Sequence, residues 1–287
     1  MPKITLTITL ILICSIIHIG YTLDTSPDSF EKDEHWGYYS AESLWDGAYW
    51  GYLTSAFIHY DQLHIIFNMY WLFILGDALE KRIGGIRMGL MVIAAAIVTS
   101  GFEFLVTEDT GLGFSGVLYC FFGFMWMTKS KYRSFEYVLT PHVIQVLGGW
   151  LFVCIILTQL EILNVGNAAH FSGAAFGIAL GKAAMSQKYQ SVWLTATTCM
   201  LAIAIVPLFW LPWSIDWLCY KADVAYEKED YDKEIQWLTK AIKLDDEYAW
   251  AYYSRGWTYR ELEKHELADA DFEKAYKLNP SLFEEDE

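Results

Sequence analysis

Gly113-Phe114-Ser115-Gly116-Val117-Leu118-Tyr119 opens an apolar run that stops at Thr128. The run offers about 15 residues, or about 22 Å of helix at 1.5 Å per residue. A bilayer presents about 30 Å of hydrocarbon, so the segment crosses only if it starts below the membrane surface. The stretch before it, Thr107-Glu108-Asp109-Thr110-Gly111-Leu112-Gly113, is polar and glycine-rich. Non-helical backbone at membrane depth is tolerated only where protein buries it or where it lines a wet cavity. A short helix entered through a glycine loop therefore predicts a water-accessible pocket inside a membrane protein. The Ser115 hydroxyl stands at its entry, and Tyr119 follows one turn on along the same face. A Gly-x-Ser-Gly string alone is weak, because serine between glycines is common in loops.

Longer apolar runs surround this segment. Candidate spans cover residues 4–22, 52–76, 86–106, 114–128, 140–161, 167–186 and 191–213, judged against about 20 apolar residues per crossing. Lys3 before the first run raises a cleaved signal peptide as an alternative. The run is long for a signal core, and Ile17-His18-Ile19-Gly20-Tyr21 lacks a small-x-small cleavage site, so it reads as a retained span. Composition agrees, with 54% apolar, 17% aromatic and 19% charged residues. Soluble domains average about 45–50% apolar and about 25% charged. A net charge of −15 argues against nucleic-acid binding, which needs clustered Lys and Arg. The cysteines, Cys14, Cys120, Cys154, Cys199 and Cys219, show no paired CxxC spacing and read as small buried hydrophobes.

Loop charges set an expected orientation. Lys81, Arg82 and Arg87 follow the second span, Lys129, Lys131 and Arg133 the fourth, and Lys182 and Lys188 flank the turn after the sixth. Residues 23–50 carry Asp24, Asp28, Glu31, Asp33, Glu34, Glu42 and Asp46 against Lys32 alone. The N-terminus is expected inside and, after the uncharged seventh run with Trp210 and Trp213 at its end, the tail outside. A re-entrant seventh run with a cytoplasmic tail is the competing topology.

The tail, residues 214–287, holds 20 acidic and 10 basic residues. It repeats at a period of 34: Ala222, Ala225, Leu238, Ala241 and Leu244 recur as Gly256, Tyr259, Phe272, Ala275 and Leu278. Gly256, Tyr259, Ala268, Phe272, Ala275 and Pro280 fit the tetratricopeptide pattern of two crossing helices with small residues at the seam. The expected architecture is all-α: a polytopic membrane bundle over 1–190, a seventh span over 191–213 and a small TPR-like domain over 214–287.

Polar groups within spans are functional candidates by default, because burying them costs several kcal/mol unless they are paired or wet. His64 and Asn68 are i,i+4 and share a helix face, with His59 just before them. Metal ligation and a satisfied structural histidine both stand as readings. Asn167-Ala168-Ala169-His170 opens the sixth span and is followed by Gly173, Gly177 and Gly181, a ridge that permits close helix approach. That ridge is first of all helix packing. The same packing would bring His170 to Ser115 as a Ser–His dyad, and neither helix supplies an Asp or Glu beside the pair.

Taken together, these residues resemble the rhomboid family of intramembrane serine proteases over about residues 4–186. The resemblance rests on His59 with His64-x3-Asn68, on Gly113-x-Ser115-Gly116 with Tyr119, and on Ala169-His170-x-x-Gly173 across six helices. Glu80-Lys81-Arg82 looks like the family's bacterial members, whereas Trp50-Gly51 stands where the family often has Trp-Arg. The resemblance implies Ser115 as nucleophile and His170 as its base, with His64, Asn68 and the Ser115 N–H as oxyanion donors. It implies Tyr119 stacked on His170, Gly116 and Gly173 at the helix crossing, and Gly113, His59 and Asn167 in support. No cofactor or metal is expected. The implied substrates are membrane-anchored proteins in the lipid bilayer, with a protein partner for the TPR-like tail and a bacterial inner membrane as the setting. An inert rhomboid-like binder or a TPR scaffold is the alternative.

Overall fold

The computed structural model describes residues 5–283, so the ends of the expected first and last domains, 1–4 and 284–287, lie outside the described residues. The fold is all-α. Two compact units meet in the chain after Phe209. The first contains α1 (Thr5–Leu23), α2 (Gln62–Ile83), α3 (Gly85–Thr107), α4 (Ser115–Thr128), α5 (Pro141–Gln159), α6 (Asn167–Met185) and α7 (Gln190–Leu208). Among the described residues, α1, α2, α3, α5 and α7 are long and apolar enough to cross a membrane. The 14-residue α4 is shorter, and α6 is diluted by its glycines, His170 and Lys182. Both are sheltered instead. Every α4 residue from Gly116 to Met125 is buried, as are His170, Gly173, Gly177 and Gly181 of α6. A helix covered by protein has no need of a lipid-soluble surface. The apolar faces that lipid must cover lie on the outer helices, for example Leu12, Ile16, Phe152 and Ile156.

Three boundaries differ from the sequence expectation. α2 starts at Gln62 rather than at 52, because the Asp61 side chain caps it by accepting from the His64 N–H at 2.9 Å. Residues 51–57 form two short helical turns outside it. α2 also runs on to Ile83 through a π-helical turn, Leu72–Gly76. Its Glu80 carboxylate accepts from the Leu6 and Thr7 N–H groups, each at 2.8 Å, and so anchors the start of α1. α7 ends at Leu208 rather than at 213, because Pro207 enters a final 3-10 turn. It packs within the first unit: a Cβ at Gly101 of α3 would stand 2.2 Å from the Ala204 carbonyl oxygen.

The closest approach in the unit joins α4 to α6. A Cβ at Gly173 would stand 2.2 Å from the Gly116 carbonyl oxygen, and one at Gly177 would stand 2.0 Å from that of Cys120. On the α4 side, a Cβ at Gly123 would lie 2.4 Å from the Ala174 carbonyl oxygen. Only glycine lets two backbones touch in this way.

The second unit contains α8 (Ile215–Tyr226), α9 (Tyr231–Leu244), α10 (Ala249–Glu261) and α11 (His265–Leu278). Ala222, Ala225, Ala241, Ala251, Ala268 and Ala275 are buried at its crossings. Gly256 admits the Phe272 ring, and Arg255 grips Asp271 through two bonds of 2.7 and 2.9 Å. One group in this core is badly placed for a charge. Glu234 is 4% exposed; one carboxylate oxygen accepts from the Thr258 hydroxyl at 2.6 Å and the other has no partner. Burial pushes its carboxyl up to about 7, a rise that the Thr258 bond opposes and the Asp223 charge assists. The native state thus holds a proton that the unfolded chain has released, so the unit loses stability as pH rises from about 4.5 to about 7. Glu234→Gln is expected to stabilise this unit by about 1–3 kcal/mol at pH 8 and to change little at pH 4. Hydrogen exchange over residues 215–278 of the full chain measures it; equal protection of both proteins at pH 8 contradicts the expectation.

Candidate active site

Each half of the site arrives on a helix start. The α3–α4 loop is pinned by Asp109, which accepts from the Tyr38 hydroxyl at 2.5 Å and from the Gly111 N–H at 2.7 Å. Gly113 then adopts φ +93°, a left-handed conformation that suits glycine. Its N–H donates to the Ser55 carbonyl at 3.1 Å. Glycine is needed here for a second reason: a Cβ would stand 2.5 Å from His64 Nε2, so the imidazole lies against bare backbone. Phe114 N–H donates to His59 Nε2 at 3.3 Å, and His59 Nδ1 pairs with the Phe57 carbonyl at 3.2 Å. His59 is fully buried. Ser115 follows as the first residue of α4.

Opposite it, His170 sits in the first turn of α6, 6% exposed. Its Nε2 lies 2.7 Å from Ser115 Oγ. A ring nitrogen that accepts the serine proton leaves Nδ1 carrying the hydrogen, and that Nδ1 has no hydrogen-bond partner among the described residues. The Tyr119 and His170 rings lie 4.8 Å apart, tilted by 45° rather than stacked parallel. The Tyr119 hydroxyl donates to the Leu147 carbonyl of α5 at 3.1 Å. A crevice lined by Asn68, Trp71, Tyr119 and Leu147 opens onto Ser115. Asn68 is buried and donates to the His64 carbonyl at 2.9 Å, which leaves its second amide hydrogen for the crevice. The His59 and His64 rings meet edge to face at 4.9 Å. Asn167 donates to Thr158 at 2.8 Å, joining the end of α5 to the start of α6.

Residues 46–187 match the rhomboid domain. The membrane unit therefore carries a rhomboid domain. Residues 218–248 and 249–282 each match a tetratricopeptide repeat. The chain is 27% identical over 186 residues to the rhomboid protease GlpG of Haemophilus influenzae, covering 62% of this chain and 89% of that one. It is 29% identical over 175 residues to the proteins of the same name from Yersinia pseudotuberculosis and Yersinia pestis, covering 60% of this chain and 60% of each of theirs.

The rhomboid unit closes over the position where the family often has arginine. Gly51 is buried, and a Cβ there would meet Leu44 at 2.8 Å and Tyr39 at 3.0 Å. The first loop is braced by other bonds, from Thr54 to the Gly37 carbonyl, from Ser43 to Glu34, and from Tyr38 to Asp109. Two site neighbours escape sequence reasoning. His18 of α1 bonds the His59 carbonyl at 2.6 Å; a histidine inside a span was the available signal. Glu103 of α3 accepts from the Ala169 N–H at 2.8 Å. It too is an ionisable residue within a span, and only the fold brings it to α6.

Proposed function

We propose that the chain is an endopeptidase that cleaves membrane-anchored proteins within or near their transmembrane segments, using Ser115 and His170 as a dyad. The observation that carries this reading is the 2.7 Å contact between Ser115 Oγ and His170 Nε2 at the mouth of a crevice. As Ser115 Oγ attacks the peptide carbonyl, His170 Nε2 takes the hydroxyl proton and later gives it to the leaving amine. A water then repeats the sequence on the acyl-enzyme and releases the second product. The Tyr119 ring limits how far the imidazole can turn. No step calls for a cofactor. A fluorophosphonate probe is expected to modify Ser115 and to leave the Ser115→Ala protein unlabelled; equal labelling of both contradicts the reading.

The developing oxyanion is assigned to the Ser115 N–H, Asn68 and His64. The Phe114 N–H is already committed to His59; the side-chain donors assigned are the second amide hydrogen of Asn68, which lines the crevice with Ser115, and the His64 ring beside Gly113. His59, Gly113 and Asn167 shape the two helix entrances, and Gly116 and Gly173 hold them together. Asn68→Ala and His64→Ala are each expected to lower kcat by roughly 10²–10³-fold with little change in KM. Loss of activity on chelation, restored by Zn²⁺, would instead reinstate the metal reading.

The setting proposed is a bacterial inner membrane, N-terminus inside and tail outside, from the basic loops after α2, α4 and α6. The tail is assigned to protein recognition, by its repeat pattern. A single cysteine at Ser281, in a background without the native cysteines, is expected to react with an impermeant thiol reagent on intact spheroplasts. Labelling only after lysis reverses the assignment.

A further inference from the structure

Glu103 is 5% exposed and has no task in the dyad chemistry described above. A buried carboxylate is costly to keep unless it is bonded, and Glu103 has contacts on two sides. They reach both segments that deliver the reacting groups. Its Oε2 accepts from the Ala169 N–H at 2.8 Å, one residue before His170. A Cβ on Gly166, in the turn that leads into α6, would come within 3.4 Å of the same oxygen. On the other side, the stem of Glu103 lies under the loop that leads to Ser115: a Cβ on Gly111 would meet Glu103 Cγ at 3.3 Å. The first N–H groups of a helix have no partner within the helix. A carboxylate from α3 serves one of them here, because no side chain at the start of α6 caps it.

We propose that Glu103 is a positioning residue for proteolysis, clamping the first turn of α6 through the Ala169 N–H and supporting the Ser115 loop with its stem. It sets the separation of Ser115 Oγ and His170 Nε2 from a distance and touches neither ring nor substrate. The proposal rests on the dyad reading. The role belongs to the acceptor oxygen and its reach. Glu103→Gln keeps both, since the amide oxygen can still accept from Ala169. Glu103→Asp keeps the charge and draws the acceptor back by about 1.5 Å, and Glu103→Leu removes it.

The test measures kcat and KM of the full-length protein in detergent with a transmembrane substrate, alongside melting temperature. Wild type and Glu103→Gln are expected to agree within about fivefold in kcat. Glu103→Leu is expected to lose on the order of 10²-fold in kcat, the scale of a displacement of about 1 Å, with Glu103→Asp between them and KM unchanged throughout. Leu with wild-type kcat, a loss expressed in KM alone, or Gln as impaired as Leu each overturns the proposal. If Glu103→Leu does not fold, the other pair decides: Gln above Asp supports the clamp, and Asp equal to or above Gln overturns it. Ser115→Ala runs in the same assay. Its full activity would remove the dyad reading itself, whereas an inactive Ser115→Ala beside an unaffected Glu103→Leu removes this inference alone.

Discussion

Ser115→Ala and His170→Ala are each expected to bring cleavage of a transmembrane substrate to background, a loss of at least ~10³-fold, while the melting temperature stays near that of wild type. In the proposed dyad the two groups act as one unit, so the double variant should be no worse than either single one. The folds should survive because Ser115→Ala trims a side chain that lines the crevice, His170→Ala removes a ring that packs beside Tyr119, and both leave the α4–α6 backbone contact intact. Turnover assays with all three proteins, paired with thermal melts, check it. Substantial turnover by either single variant would exclude the dyad.

The second large effect comes from a residue that touches no substrate. Gly177→Val is expected to abolish activity and to lower the melting temperature, because its Cβ would lie 2.0 Å from the Cys120 carbonyl oxygen. Backbone cannot yield as a side-chain tip can, so the helices must separate. Overpacking of this kind costs about 1–3 kcal/mol or more, and the displacement is carried to the Ser115–His170 contact. Gly148→Val is the matched control, since nothing lies within 4 Å of a Cβ there. It is expected to retain activity. Melting and probe labelling of the two variants test the contrast, and an active Gly177→Val would refute the packing argument.

Much of this site was legible in the chain itself. The brevity of the run from Ser115 to Thr128 announced a sheltered helix, and the glycine ridge after His170 announced the partner it packs on. Those signals are local, set by length and by helical spacing. The contacts of His18 and Glu103 were not legible in that way, because each joins segments far apart in sequence and depends on which helix lies beside which. The same holds for the first loop. Trp50-Gly51 reads as the loss of a brace, yet Leu44 and Tyr39 fill the space a side chain would need. Hydropathy alone misplaces helix ends where polar or cyclic residues overrule it, as Asp61 does at the start of α2 and Pro207 at the end of α7.

The shortness of α4 also constrains how the protein is made. A translocating chain offers its segments to lipid one at a time, from the N-terminus. α4, at 14 residues, is too short to settle in the bilayer alone, and the glycines, histidine and lysine of α6 make it a poor lodger as well. Each is the other's shelter, yet α5 lies between them in the chain. Synthesis must therefore pass Met185 before the buried pair can be completed, and a nascent chain stalled within α5 has a serine with no histidine and a helix with no seat. On the proposed dyad, activity waits on α6, so the membrane in which the protein is assembled meets it only once the last helix of the site has emerged.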